Sequence, residues 1–286
     1  MQRFSSPSPC GRGQGEGACV TSIGIFDSGV GGLSVAAETA ALLPGHAIDY
    51  VCDDAFFPYG TRPEHELIDR VEAVASAFVE QVQPSVLVLA CNTASTVALP
   101  RLRERLALPI VGVVPAIKPA AALSSRRVIG LLGTEATARR RYTQDLIDRF
   151  AADCMVIRVG SAELVRLAET HADGAAPPAS RIQAILAPFF ERPMAEQPDV
   201  IVLACTHFPL LRDALQAACP GGVRLIDSGR AIADRVRNLA PPSDAMPHRH
   251  VHFTGKGAGR AIFEGRGFSV APQREIASLR RNLSSI

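Results

Sequence analysis

The pentapeptide Leu-Val-Leu-Ala-Cys at Leu87–Cys91 returns as Ile-Val-Leu-Ala-Cys at Ile201–Cys205, 114 residues later. A proline stands three residues before each copy, a small polar residue follows it, and the next apolar run comes at nearly the same interval. Continuous apolar runs of this length are typical of strands buried on both faces in parallel sheets. The repeat therefore predicts two similar α/β halves, each with a cysteine at the end of an equivalent strand.

Short apolar runs alternate with amphipathic stretches along most of the chain. Strands are predicted over Ile23–Phe26, Ile48–Cys52, Val86–Ala90, Ile110–Val114, Val128–Leu132, Cys154–Val159, Val200–Ala204 and Val223–Ile226. Helices are predicted over Glu64–Val82, Arg140–Phe150, Ala162–Glu169 and Arg181–Glu191. Such alternation predicts an α/β fold class with mainly parallel sheets covered by helices, and ligands bind at the carboxyl ends of the strands in sheets of this kind.

Composition narrows the class of protein. The 286 residues are 47% hydrophobic and 20% charged, and the net charge of +2 is too small to predict a nucleic-acid or membrane partner. Residues 1–20 are rich in Gly, Ser and Pro and lack the apolar core of a signal peptide, so we expect a disordered extension and a cytoplasmic protein. In that compartment the seven cysteines are expected to be reduced.

Lysine usage bears on cofactors. The sequence contains only Lys118 and Lys256. A pyridoxal-phosphate enzyme needs a Schiff-base lysine, and a phosphate-binding P-loop needs one inside its glycine signature. Lys118 lies between prolines and Lys256 follows no such signature, so the sequence favours neither cofactor.

Each repeated cysteine is followed directly by polar residues that open a predicted helix. A thiol at this position is favoured as the thiolate by backbone N–H groups and the helix dipole, and Asn92 and Thr93 add donors for an anionic ligand. Thr206 and His207 follow Cys205, and a histidine can exchange protons near neutral pH. A lone cysteine here would be interpreted as a small buried residue, but the twin occurrence favours function.

Three kinds of chemistry could use these residues. A zinc site of Cys91, Cys205 and His207 lacks the usual ligand spacing and an evident fourth ligand. A Cys–His nucleophile for acyl transfer leaves the second cysteine unexplained. Two-base proton transfer uses both thiols, because one removes a hydrogen from one face of a carbon while the other delivers a proton to the opposite face.

Two further segments lie at the same predicted sheet edge. The run Asp27–Gly32 follows the first strand, and its glycines permit close backbone approach to an anion. It lacks the G-x-G-x-x-G spacing of dinucleotide sites. Asp27 is interpreted either as a helix cap or, preferably, as a group that binds substrate or orients a base. Pro58–Gly60 follows the second strand and is either a plain turn or part of the site.

Six segments, in this order, resemble the glutamate racemase family and together span roughly residues 23 to 240. They are IGIFDSGVGGLSV (Ile23–Val35), FFPYG (Phe56–Gly60), VLACNTAS (Val88–Ser95), VGVVPAIKPA (Val111–Ala120), IGLLGTEAT (Ile129–Thr137) and VLACTHFPLL (Val202–Leu211). The set is specific, although ACNT or ACTH alone would also suit aspartate or hydantoin racemases.

The resemblance implies a racemase, an isomerase that interconverts L- and D-glutamate without metal or pyridoxal phosphate and supplies D-glutamate for peptidoglycan. It implies that Cys91 and Cys205 are the acid–base groups, assisted by Asp27 and His207. The glutamate-binding positions correspond to Asp27, Ser28, Tyr59, Gly60, Asn92, Thr93, Thr206 and His207. The family also carries an assisting glutamate, for which Glu163 is the nearest candidate.

The resemblance also implies two domains with the active site between them, residues 21–115 plus 227–286 and residues 116–226. Rival functions are an aspartate or hydantoin racemase, a maleate isomerase, or a protein that binds amino acids without catalysis. The oligomeric state, including a homodimer, is left open. His248, His250 and His252 alternate in the tail, which is interpreted as ordinary strand or loop alternation rather than a metal site.

Overall fold

The computed structural model describes residues 22–172, 174–243 and 246–272. The extension expected over residues 1–20 lies outside the described residues. No helix in the described part of the chain combines the length and apolar character that crossing a bilayer would require.

Two fully parallel sheets form the framework. The strands are β1 (Ser22–Asp27), β2 (Ala47–Cys52), β3 (Val86–Leu89), β4 (Ile110–Gly112), β5 (Val128–Gly133), β6 (Met155–Gly160), β7 (Val200–Ala204), β8 (Arg224–Ile226), β9 (Arg249–Phe253) and β10 (Ser269–Val270). The first sheet has the order β10-β9-β2-β1-β3-β4 and the second the order β6-β5-β7-β8. Every pairing between neighbours is parallel.

The predicted repeat is present in the topology. The order β2-β1-β3-β4 in the first sheet is reproduced as β6-β5-β7-β8 in the second, so β3 and β7, which precede Cys91 and Cys205, occupy equivalent places. The equivalent strands β1 and β5 also share an Ile-Gly-(Ile/Leu) start at Ile23 and Ile129, a similarity too short to detect without the topology. The predicted α/β class with two similar parallel sheets is confirmed.

Helices cover both faces of each sheet. They are α1 (Leu33–Leu42), α2 (Glu64–Val82), α3 (Asn92–Arg105), α4 (Ile117–Leu123), α5 (Glu135–Arg139), α6 (Arg141–Phe150), α7 (Ala162–Ala172), α8 (Ala179–Phe190), α9 (Arg212–Ala218), α10 (Gly229–Arg237) and α11 (Arg260–Gly265). In α2 the residues Leu67, Val71, Val74 and Phe78 repeat at helical spacing and are fully buried against the sheet. All four predicted helices are present.

All eight predicted strands are present within two residues of their expected limits, but β9 and β10 were not predicted. The sequence of β9, Arg-His-Val-His-Phe, alternates polar and apolar residues and lacks the continuous apolar run used to find the others. These two strands return to the first sheet after β8, with β9 beside β2. Strands β1–β4, β9 and β10 form the first sheet and β5–β8 form the second. The domain limits 21–115 plus 227–286 and 116–226 stay a prediction.

A buried carboxylate holds the start of β7 to the turn that leads into β5. Asp199, 8% exposed, accepts hydrogen bonds from Ser124 Oγ at 2.6 Å, Ser125 N at 2.8 Å, Ser125 Oγ at 2.7 Å and Arg126 N at 3.1 Å. Burial raises the pKa of Asp199, but these hydrogen bonds outweigh it and lower the pKa to about 2. The ionised carboxylate therefore stabilises the fold above the ordinary aspartate pKa.

We expect Asp199→Asn to lower the free energy of unfolding at pH 7 by about 1–3 kcal/mol, because the amide cannot accept all of these hydrogen bonds. The folded pKa is depressed, so the difference from the wild type should shrink as the pH falls from roughly 4 towards 2. Urea unfolding at a series of pH values measures it. The exposed Asp213→Asn variant is the control; equal losses in the two variants would contradict the assignment.

Candidate active site

One cavity of about 100 Å³ lies where the carboxyl ends of the two sheets meet. Three strand ends of each sheet contribute, those of β1, β2 and β3 and of their counterparts β5, β6 and β7. The lining residues are Ser28, Phe57, Pro58, Tyr59, Gly60, Thr61, Cys91, Asn92, Thr93, Thr134, Glu135, Ala162, Val165, Cys205, Thr206 and His207. Every predicted site residue lines this cavity except Asp27, which lies directly beneath it, and Glu163.

Cys91 occupies the position between β3 and α3. Its backbone is extended (φ −105°, ψ 118°), the next residue begins the helix, and the side chain is 5% exposed. Ser28 Oγ lies 3.9 Å from the sulfur. Burial, with the nearby Asp27 charge adding to it, raises the pKa of Cys91 to about 12. This thiol therefore keeps its proton at neutral pH.

Cys205 occupies the equivalent position after β7, with a histidine in place of the serine. Its sulfur lies 3.9 Å from Nδ1 of His207, whose Nε2 lies 2.6 Å from Oε1 of Glu169. Burial lowers the pKa of His207, but the hydrogen bonds with Cys205 and Glu169 outweigh it and raise the pKa well above the ordinary value. The imidazole is therefore positively charged near neutral pH, and the two thiols have different electrostatic surroundings.

Asp27 links the two sheets below the cavity. The side chain is fully buried and accepts hydrogen bonds from the Gly29 backbone and from Thr206 Oγ1, each at 2.9 Å, with Ser28 Oγ at 3.3 Å. Burial raises the pKa of Asp27 to about 6, although the charge of His207 and the hydrogen bonds oppose this shift. A carboxyl group with this pKa can gain or lose a proton near neutral pH.

The cavity lining includes Glu135 and not the candidate Glu163, and the glutamate that contacts His207 is Glu169. Glu169 contacts His207 and also accepts a hydrogen bond from the Val30 backbone at 3.1 Å. Glu163 pairs with Arg181 and does not line the cavity. Helical spacing could have indicated Glu169 from the sequence. Positions 162, 165 and 169 of α7 lie on one helix face, and the first two line the cavity.

Tyr59 is held by a buried ionic network. Its hydroxyl donates to Oδ2 of Asp53 at 2.7 Å, and Arg70 donates to both carboxylate oxygens of Asp53 at 2.9 and 2.6 Å. At the neighbouring Gly60, an added Cβ would lie 3.2 Å from Thr134 in the other half of the molecule. The segment after β2 therefore forms a fixed wall and approaches the second sheet closely.

Polar groups at the start of α3 remain available to a ligand. Oδ1 of Asn92 is buried and has no hydrogen-bond partner among the described residues. Thr93 Oγ1 lies 3.3 Å from Oγ1 of Thr134, which was not among the predicted site residues. Thr134 follows β5 as Ser28 follows β1, so the repeat could have indicated it. Arg140 donates to the Thr93 carbonyl at 2.6 Å and joins the two halves here.

Comparison with known proteins places this geometry in a family. The sequence profile described as Asp/Glu/Hydantoin racemase matches residues 33–236. The chain is 50% identical over 223 residues to a glutamate racemase from Pectobacterium atrosepticum, covering 78% of each chain, and 52% identical over 211 residues to one from Salmonella gallinarum, covering 74% of each. The structure resembles that of Escherichia coli glutamate racemase in complex with L-glutamate and the activator UDP-MurNAc-Ala, with a TM-score of 0.82, 42% identity, and coverage of 87% of this chain and 97% of that one.

We expect Glu169→Gln to lower the pKa of His207, because the hydrogen bond and the negative charge of Glu169 both raise it. An NMR titration of the histidine ring resonances measures the change. Glu163→Gln, the same substitution on the same helix, is the matched control and should leave the His207 titration unchanged. Equal shifts in both variants would show that the contact between Glu169 and His207 does not set this pKa.

Proposed function

The chain belongs to the Asp/Glu/Hydantoin racemase family, and we propose that it interconverts L- and D-glutamate by two-base proton transfer between Cys91 and Cys205. It is an amino acid racemase, an isomerase. The observation that supports the mechanism is that the ends of equivalent strands of two similar sheets bring two thiols to one cavity. Inversion at a carbon atom needs acid–base groups on opposite faces, and a repeated fold supplies them.

In this mechanism one cysteine, as the thiolate, removes the α-hydrogen of the substrate. The C–H bond breaks, an S–H bond forms, and the electron pair is delocalised into the substrate carboxylate. The opposed thiol then delivers its proton to the other face of the carbon and becomes the thiolate. Each turnover therefore interchanges the protonation states of Cys91 and Cys205, and the reverse reaction restores them.

Each thiol is connected through one intermediate group to a carboxyl group. Ser28 Oγ lies between the sulfur of Cys91 at 3.9 Å and Oδ1 of Asp27 at 3.3 Å. On the other side His207 lies between Cys205 and Glu169. We assign to Asp27 and His207 the exchange of protons that prepares each thiol, because the pKa of Asp27 is about 6 and the imidazole of His207 holds a proton at neutral pH.

The remaining polar groups hold the substrate and stabilise developing charge. An amino acid α-hydrogen is weakly acidic, so hydrogen-bond donors at the substrate carboxylate must stabilise the carbanion. The Thr93 hydroxyl and the N–H groups at the start of α3 are suited to this. The hydroxyls of Ser28 and Thr206 donate to Asp27 and offer the substrate lone pairs instead. The unpartnered Oδ1 of Asn92 is suited to accept from the substrate ammonium group. Tyr59 and Gly60 complete the wall on the side of β2.

Glutamate is proposed as the substrate because the similar proteins with 50–52% identity are glutamate racemases and because the related Escherichia coli enzyme binds L-glutamate. An enzyme of this kind in the cytoplasm would supply D-glutamate for peptidoglycan. An aspartate or hydantoin racemase would suit the same cysteine motifs, and a binding protein would share the cavity without the exchange chemistry. Deuterium exchange at the α-carbon and the relative rates for glutamate and aspartate separate these functions.

We expect the wild-type protein to exchange the α-hydrogen of both L- and D-glutamate with solvent deuterium. Cys91→Ala and Cys205→Ala should each lower the racemisation rate by about 10²–10⁴-fold, because each removes one acid–base group. NMR and circular dichroism measure exchange and inversion. Cys52→Ala is the matched control, since Cys52 is a buried cysteine at the end of β2 that does not line the cavity. Full racemisation by either active-site variant would disprove the two-base mechanism.

We expect kcat/KM for glutamate to exceed that for aspartate by at least about tenfold, because one missing methylene in a fitted cavity costs about 1–3 kcal/mol. Racemisation assays with both enantiomers of both amino acids measure this ratio. Inversion of aspartate but not glutamate would assign the chain to aspartate. Binding of glutamate without deuterium exchange would identify a binding protein instead of an enzyme.

A further inference from the structure

A second cluster of titratable side chains lies away from the cavity, between β2 and β9. His248 immediately precedes β9, and His250 and His252 alternate along it, so all three share one face of the first sheet. Asp49 of β2 is the register partner of His250 and points to the same face. The sequence showed the alternating histidines, but it could not show that a carboxylate 199 residues earlier in the chain joins them.

The polar atoms of this cluster converge. Nε2 of His248 lies 3.2 Å from Oδ2 of Asp49, and Nδ1 of His250 lies 3.7 Å from Oδ1. One ligand atom from each of the three residues lies within 4.8 Å of the other two. The rings of His248 and His250 are stacked with centroids 4.3 Å apart. Ligand atoms of a tetrahedral zinc ion at about 2.0–2.2 Å lie about 3.3–3.5 Å from one another, so modest side-chain rotations suffice.

The geometry points to a site for a divalent transition-metal ion, zinc in particular, formed by Asp49, His248 and His250. Two imidazoles and one carboxylate form a ligand set that zinc accepts, and they leave a fourth position for water. The side chains of His248 and His250 are each 29% exposed, so an ion can reach them from solvent. Asp49, at 7% exposure, forms the buried base of the site.

His252 holds the carboxylate ligand from behind. It is fully buried, packs against Phe78, and its Nε2 lies 3.3 Å from Oδ1 of Asp49. This contact orients the carboxylate before an ion arrives, as outer hydrogen bonds commonly do for metal ligands.

The position of the cluster indicates a stabilising rather than a catalytic ion. Asp49 lies three residues, about 10 Å along the strand, before the carboxyl end of β2, and that end faces the cavity. The ion would join β2 to β9, the strand with which the chain returns to the first sheet. Because an ion that binds only the folded state stabilises it, this site would hold the returning segment in place.

Isothermal titration of the full-length protein with Zn²⁺ tests the site, together with thermal unfolding and the absorption spectrum of the Co²⁺ form. We expect one Zn²⁺ per chain at this site, a higher Tm with the ion, and a Co²⁺ spectrum without the intense thiolate charge-transfer band. The double variant His248→Gln/His250→Gln should bind the ion at least about tenfold more weakly, since even outer-shell losses cost about 10–100-fold. Its Tm should no longer rise with Zn²⁺.

Two further variants serve as controls for binding elsewhere on the protein. His65→Gln removes an exposed histidine of α2 outside the cluster and should bind Zn²⁺ like the wild type. Cys91→Ser/Cys205→Ser removes the thiols of the cavity, which can themselves attract zinc, and should retain the Co²⁺ spectrum and the Tm response. Binding that persists in the histidine double variant, or a thiolate band that the cysteine variant loses, would overturn the proposal. Equal Tm values of the wild type and the double variant without metal would show that the variant is folded.

Discussion

The carboxyl group of Asp27 is buried between the two sheets, and the arrangement of the cavity depends on how that group is satisfied. A buried carboxylate without hydrogen bonds costs several kcal/mol, so its partners must be held in place. The Gly29 backbone and Ser28 supply two of them from the same turn, but Thr206 comes from the other sheet. The same hydroxyl therefore satisfies Asp27 and brings the turn after β7 against the turn after β1.

The repeat of four strands places two thiols symmetrically, but the residues around them break the symmetry. Ser28 and Asp27 lie on the side of Cys91, whereas His207 and Glu169 lie on the side of Cys205. Cys91 therefore lies near a neutral hydroxyl and a buried carboxyl group, whereas Cys205 lies beside a protonated imidazole. The proposed reaction needs one thiol to start as the acid and the other as the base, and unequal surroundings of the two thiols suit it.

The two ends of β2 carry different groups, one set at the cavity and the other in the cluster with the histidines. The carboxyl end leads to Asp53 and Tyr59 and faces the cavity, while Asp49 nearer the amino end faces His248 and the two histidines of β9. Parallel strands favour this division, since ligands bind at the carboxyl edge of such sheets. Charged groups at the opposite edge can therefore tie the chain together without disturbing the reacting atoms.

Local information in the sequence determined most of the framework. Continuous apolar runs identified eight strands, the repeated pentapeptide identified equivalent positions for Cys91 and Cys205, and nine predicted site residues line one cavity. Tertiary structure alone decided which distant groups meet: Glu169 instead of Glu163 beside His207, Thr206 on Asp27, and Asp49 beside the histidines of an unpredicted strand. The physical reason is that periodicity and strand ends are local properties of the chain. The pairing of side chains 38, 179 or 199 residues apart depends instead on strand order and helix orientation, which local patterns do not encode.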